Sequence, residues 1–178
     1  MKIKQIIIYA VFSSAIIALS VLFYIHTREK IAFIKTDEIF NDFQLKKELE
    51  KELTVFRDKK GNLLDSLSAM LKVKGEFISQ EKNESNKKKK IEEYYGLEKI
   101  YKNKKEQLDS QEEQLVNNFN QQIYKQINEY TQEYGEKNNY KFIFGTTTEG
   151  NIMYAGKSED ITHQVNDYIN SKYQGTEK

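Results

Sequence analysis

Apolar positions fall into three regimes along the 178-residue chain. Residues 5–25 form an uncharged, mainly apolar run. From about Asn41 the apolar positions thin to two narrow stripes embedded in charge. From Lys141 onward, short apolar runs alternate with turn residues. The first stripe is Leu49, Leu53, Phe56, Leu63, Leu67, Met70 and Phe77, spaced by fours, threes or a whole heptad, with Lys60 and Lys74 filling its gaps. The second is Ile91, Tyr94, Glu98, Tyr101, Leu108, Leu115, Phe119, Ile123, Ile127, Tyr130 and Tyr134. A 3-4 seam of this width is the pattern of a coiled coil, not of a broad globular face. Between the stripes, SQEKNESNKKKK at residues 79–90 carries no apolar side chain. Two seams around one polar segment predict an antiparallel helical hairpin over residues 41–137, with its tip near 79–90. Each arm of about 40–48 residues reaches about 60–70 Å at 1.5 Å per residue. Gly61, Gly75 and Gly96 weaken the arms and read either as unoptimised exposed helix or as deliberate bends.

The ends of the hairpin have strand character. Ile31, Ala32, Phe33 and Ile34 form a short apolar run, after which Thr36 or Asp37 can cap a helix start. Beyond Gly135 two strands are expected, 141–146 with Phe142 and Phe144, and 151–155 with Ile152 and Tyr154, joined by a turn containing Gly150. Ser158 or Asp160 then caps a final helix whose apolar face is Ile161, Val165, Tyr168 and Ile169. Residues 31–40 and 138–173 therefore make one β-rich body, followed by a polar tail at 174–178. The fold class is α+β, mainly α. Three short strands are marginal alone, and their edges invite pairing, so the body is expected to assemble several copies.

The amino-terminal 30 residues stand apart. Lys2 and Lys4 precede the apolar run, and His26, Arg28 and Lys30 follow it. About 20 apolar residues are enough to cross a bilayer as a helix. Ala18 and Ser20 could form a signal cleavage site, yet residues 21–25 carry the apolar run past it. Residues 1–30 are thus read as a signal anchor, or alternatively as a cleaved signal peptide. Either exports the remainder, although the flanking charges barely discriminate orientation.

Charge changes the picture more than composition does. The net charge is +1, but residues 72–105 hold eleven Lys and six Glu, while residues 106–178 hold six Lys and twelve Asp or Glu. Basic arm tips on an acidic body can attract anionic clients, anionic lipid or lipopolysaccharide. The candidate contacts there are Lys82, Lys87, Lys88, Lys89 and Lys90, with Phe77, Tyr94, Tyr95 and Tyr101 as either packing residues or exposed contacts. Cys is absent, His26 and His163 are the only histidines, and no phosphate-loop or zinc-protease motif occurs. That pattern argues against an enzyme and implies no cofactor or metal. Export removes the chain from nucleic acid.

The order of elements resembles the Skp/OmpH family of periplasmic chaperones. The resemblance rests mainly on Tyr154, Ala155, Asp160, Ile161, Thr162 and Val165, and at the front on Ile31, Ala32, Phe33 and Ile34. It covers residues 31 to about 173, and Lys35 and Thr36 depart from the family's usual Val-Asp ending. It implies a homotrimer whose β-rich body, including Ile31, Phe33, Ile34, Phe142, Phe144, Ile152, Tyr154, Asp160, Ile161 and Val165, carries helical arms. Those arms would enclose unfolded outer-membrane proteins in the periplasm without ATP. The long amino-terminal span departs from secreted members and implies tethering to the inner membrane. The alternative function is a membrane-anchored coiled-coil scaffold for one fixed partner.

Overall fold

The computed structural model describes residues 13–20, 29–147 and 150–173. Residues 13–20 are helical and exposed. The rest of the apolar run at 5–25, the residues flanking it and the tail at 174–178 lie outside the described residues. Among those described, no helix is long and apolar enough to cross a membrane.

Strand β1 (Lys30–Lys35) leads into a short helix α1 (Thr36–Asp42). Thr36 is the first helical residue and does not cap it; Lys35 holds the capping position without a side-chain bond. Phe43 breaks the helix with one extended residue and buries its ring completely against Tyr173, 5.3 Å away edge-on. Then α2 (Gln44–Gln80) and α3 (Glu84–Lys137) form the antiparallel hairpin. Both run unbroken through Gly61, Gly75 and Gly96, so these glycines do not end helices. At 1.5 Å per residue the arms are about 55 and 80 Å long. The connection is only Glu81–Asn83, shorter than the polar stretch suggested. Asn83 caps α3 by accepting from the amides of Ser85 and Asn86 at 3.0 and 3.1 Å.

Asn138 and Asn139, the latter at φ 57°, turn the chain back into β2 (Tyr140–Thr146). Asn tolerates this left-handed conformation better than most residues. β2 pairs in parallel with β1, from Lys30↔Tyr140 to Lys35↔Thr146. The whole hairpin is therefore a crossover between two parallel strands, which parallel pairing requires. A bulge between Lys30 and Ile31 shifts the register, leaving Lys141 without a partner and bringing Phe142 opposite Ile31.

Residues 151–155 are not a strand. The chain turns at Gly150 (φ 82°), whose amide bonds the Thr147 carbonyl, and Asn151 ties this loop to the Gly145 carbonyl at 2.8 Å. The hairpin expected between 141–146 and 151–155 is therefore absent; β1 instead gains a single bridge from Asp160 to Phe33, and the Ile161 amide donates to the Phe33 carbonyl at 3.0 Å. Within one chain, 151–155 loops outward and a single 3₁₀ turn (Lys157–Glu159) returns it to the sheet. The last helix, α4 (Thr162–Lys172), covers one sheet face. Ala32 and Ile34 pack there with Ile39, Phe43, Leu45, Leu49, Ile123, Ile127, Ile161, Val165 and Ile169. The core thus lies at the root of the hairpin, where the two strands meet helices α1 to α4.

The two seams fared differently. Every residue of the α3 stripe is at least half-buried. On α2 the seam begins at Leu49, Leu53, Phe56 and Lys60, then continues through Leu64, Leu67, Leu71, Lys74 and Ile78, while Leu63, Met70 and Phe77 are exposed. A strict seven-residue line drifts by about 20° per heptad on a straight helix. Over the four heptads from Leu49 to Phe77 it leaves the seam and emerges on the surface.

Candidate functional site

Three surfaces on this scaffold have the chemistry to contact something else. The first is the outer face of the sheet. Alternation sends Ala32 and Ile34 into the core and Ile31 and Phe33 outward, and the register sets Phe142 and Phe144 beside them. Ile31, Phe142 and Phe144 are 47, 49 and 46% exposed, and the two phenylalanine rings stack at 5.9 Å. Ile152 is half-buried in the following loop, where Met153 and Tyr154 project almost completely into solvent. This uncovered apolar surface makes the sheet face a candidate interaction site.

The other expected body residues have different posts. Ile34, Ile161 and Val165 belong to the core. Asp160 organises the start of α4: its Oδ1 accepts from the Thr162 amide at 3.0 Å and from the Thr162 hydroxyl at 2.5 Å. Partial burial pushes the Asp160 carboxyl up, but the Thr162 bonds and the Lys35 ammonium at 3.6 Å prevail and hold it below the usual range. Thr162 in turn accepts from the Lys35 amide at 2.9 Å, tying α4 to the end of β1.

The second surface is the arm tip. Lys82, Lys88 and Lys89 are exposed, whereas Lys87 and Lys90 are half-buried. Lys87–Lys90 sit in the opening turns of α3, not in a loop, so they add charge at the positive end of the helix dipole. Glu81 offsets part of this through a 2.6 Å pair with Lys90, a bond that keeps its carboxyl below the usual range. Tyr94 and Tyr101 are seam residues, Tyr94 lying opposite Gly75. Tyr95 stacks edge-on against Tyr94 at 5.9 Å and remains 62% exposed. Phe77 is exposed on the other arm, so the four aromatic candidates do not converge on one pocket.

The third surface is the arm itself. Near the root a cleft of about 460 Å³ opens between the arms, lined by Phe40, Leu49, Leu53, Val116, Phe119 and Ile123 with charged neighbours. Above it lies an ionic layer that the stripes alone did not single out. Lys60 reaches Asp109 at 2.5 Å and Glu112 at 2.7 Å, and Arg57 reaches Glu112 at 2.6 Å. Hydrogen bonds to Asp109 and Glu112 raise the Lys60 pKa; hydrogen bonds from Lys60 and Arg57 lower that of Glu112. A second cross-arm pair, Lys74–Glu93 at 2.9 Å, lies nearer the tip. The signal was present: Lys60 interrupts one seam where Asp109 and Glu112 flank a gap in the other. Among the described residues no group of acidic or histidine side chains could hold a metal ion.

The comparisons agree on the architecture. A family model described as outer membrane protein (OmpH-like) matches residues 30–169. A crystal structure of a protein described as an OmpH-like outer membrane chaperone, from Caulobacter crescentus CB15, superposes with a TM-score of 0.68. At 11% identity it covers 85% of this chain and 90% of that one, a likeness of fold. The OmpH-like fold is non-enzymatic, in agreement with the absence of catalytic motifs. A search of curated proteins returns no match.

Proposed function

This chain belongs to the OmpH-like outer membrane protein family, and from that premise we propose that it is an ATP-independent holding chaperone for unfolded outer-membrane proteins. Three copies join through their bodies, and their arms enclose a client in the space between them. The observation that carries this reading is the apolar outer sheet face of Ile31, Phe33, Phe142 and Phe144, set at the root of two long arms and left uncovered in a single chain. Association covers that face. It also offers residues 151–155, which form no strand within the chain, a backbone partner in a neighbouring copy.

The arms support the same reading. Between the root and the tip, Leu108 is the one residue of the hairpin beyond Leu49 and before Ile123 that is buried. Two helices cannot bury their seams alone, so the distal arms remain adaptable, which suits weak contacts with many clients. The lysine-rich tips take anionic surface, either acidic client segments or lipid and lipopolysaccharide head groups. The protein works in the periplasm, tethered to the inner membrane by residues 5–25 or released by cleavage there.

The test is to purify residues 29–178, measure the solution mass, and follow light scattering when an unfolded outer-membrane barrel is diluted from urea. A trimer that suppresses scattering of several unrelated barrels is expected. A monomer without effect, or binding of one folded partner only, overturns the proposal, and the latter favours a coiled-coil scaffold.

A further inference from the structure

The chain enters its body at the end farthest from the arm tips. Helix α3 runs about 80 Å from Glu84 at the tip to Lys137. After the turn at Asn138 and Asn139, β2 folds back along the same helix: the Tyr134 and Tyr140 rings stack at 6.1 Å, and Ile143 packs close beside Gly135. β1 runs parallel to β2, so its first residue, Lys30, shares this basal end, where its ammonium bonds the Asn138 carbonyl at 3.1 Å. Four residues, 26–29, separate Lys30 from the apolar run at 5–25. Even fully extended, the five steps from Ile25 to Lys30 span at most about 18 Å. Within that run the helix at 13–20 leaves Ile16, Ile17 and Leu19 60, 64 and 65% exposed, so the body does not cover it.

The basal end is a basic spot in an acidic region. Residues 106–178 hold six Lys against twelve Asp or Glu, yet Lys137 and Lys141 both lie here, beside Lys30 and two residues from Arg28 in sequence. Glu29 and Glu136 oppose these four cations. Lys30, Lys137 and Lys141 are exposed, and Lys30 lies over the Tyr140 ring at 5.7 Å. Tyrosine with cationic neighbours is a combination suited to the head-group level of a bilayer.

Resting on the trimer and the tether proposed above, we infer that the basal end, with Lys30, Lys137, Tyr140 and Lys141, is a lipid-facing surface. It sits on the anionic head groups of the bilayer that holds residues 5–25, and the arms stand out from that bilayer with their mouth turned away from it. Two observations identify the partner. The apolar run has the length that hydrocarbon covers, and the short connection keeps the basal cations within reach of head groups, where anionic lipid attracts lysine. Symmetry fixes the orientation. In a closed ring of three copies, three equivalent anchors enter one membrane only if the rotation axis lies along its normal. The arms then carry Lys87–Lys90 about 80 Å outward, many times the Debye length of about 8–10 Å. The tips are thus presented to a client or to another surface, not to the anchoring membrane.

The chain has no Cys, so a single one can report position. Glu136→Cys marks the basal end and Asn86→Cys the tip, both at exposed sites. Each full-length variant is labelled with a fluorophore and reconstituted in phosphatidylglycerol vesicles whose head groups carry a nitroxide quencher. Strong quenching of the basal label and none of the tip label are expected. Basal quenching should fall at least about twofold in neutral phosphatidylcholine, and likewise when the chain also carries Lys30→Gln, Lys137→Gln and Lys141→Gln. Quenching of the tip label as strong as that of the basal label means that the arms lie on the bilayer, and overturns the inference. An unquenched basal label overturns it too, as does quenching indifferent to lipid charge. A chain that washes off the vesicles, or whose cellular form lacks residues 1–28, removes the tether and the inference with it. These failures leave the chaperone reading standing, because that reading is tested on residues 29–178 in solution. The comparison of two lipids on the otherwise unaltered chain decides the matter even if the triple variant does not fold.

Discussion

Asp160 joins chemistry, local structure and packing in one side chain. It bridges β1 at Phe33, and its carboxylate orders the first turn of α4 through Thr162. Asp160→Ala removes an acceptor from a helix start and should cost about 0.5–2 kcal/mol, measured by urea denaturation. Behind it, Val165 and Ile169 are fully buried against the sheet. Ile169→Ala deletes a side chain whose site is closed on all sides and should cost about 2–5 kcal/mol. All three residues stood out in the sequence, Val165 and Ile169 as part of the face of the final helix and Asp160 as a cap candidate. The capping position falls to Ile161, however, and Asp160 acts one residue earlier, on Thr162. The bridge to Phe33 was not legible, because it depends on where two segments 127 residues apart meet.

At the scale of elements, the hairpin is held by an apolar root and by ionic contacts farther out. The Asp109 and Glu112 carboxyls are held below their ordinary values by their hydrogen bonds, first to Lys105 and to Lys60 respectively. A depressed carboxyl contributes stability that is complete above its unfolded pKa and lost as pH falls through the folded one. The ionic layer should therefore loosen below about pH 4. Amide hydrogen exchange of the distal halves of α2 and α3 should quicken there, and Glu112→Gln should flatten that dependence. Exchange unaffected by acid in the wild type would count against the layer as a clasp. Gly61 and Gly96 test a different property of the arms. A methyl group at either meets nothing within 4 Å, so Gly61→Ala and Gly96→Ala should each stabilise the helix by about 0.5–1 kcal/mol. If bending serves the client, the stiffened arms should release it sooner in a chase experiment.

For the whole molecule, the deciding surface is the outer sheet face. Phe142→Asp places a charge where the proposed association buries an aromatic ring. It should convert trimers to monomers in sedimentation while leaving the core, on the opposite face, intact. Replacing Lys87–Lys90 by Gln should weaken binding to anionic clients or vesicles and reduce its salt dependence, since exposed charges act over a Debye length of about 10 Å at 0.1 M salt. Binding that is unchanged at low salt would argue against a role for the tips.

The hairpin, its polarity and the presence of strand-forming ends were written in the chain. Period and turn chemistry are local, and local signals survive in a single sequence. The α3 stripe held throughout because Leu108, Ile123 and Ile127 face a neighbour on the same chain. The α2 stripe misled at Leu63, Met70 and Phe77 while Leu67 and Lys74 kept to the seam, since a 3.5-residue line and the straight helix's own period part company by about 20° per heptad. Tertiary structure alone decided that β1 and β2 run parallel, that a bulge at Lys141 turns Phe142 outward, and that Asp160 bridges β1 while residues 151–155 form no strand. Each of these depends on which distant backbone groups find one another, and a strand's sequence specifies its faces but not its neighbour.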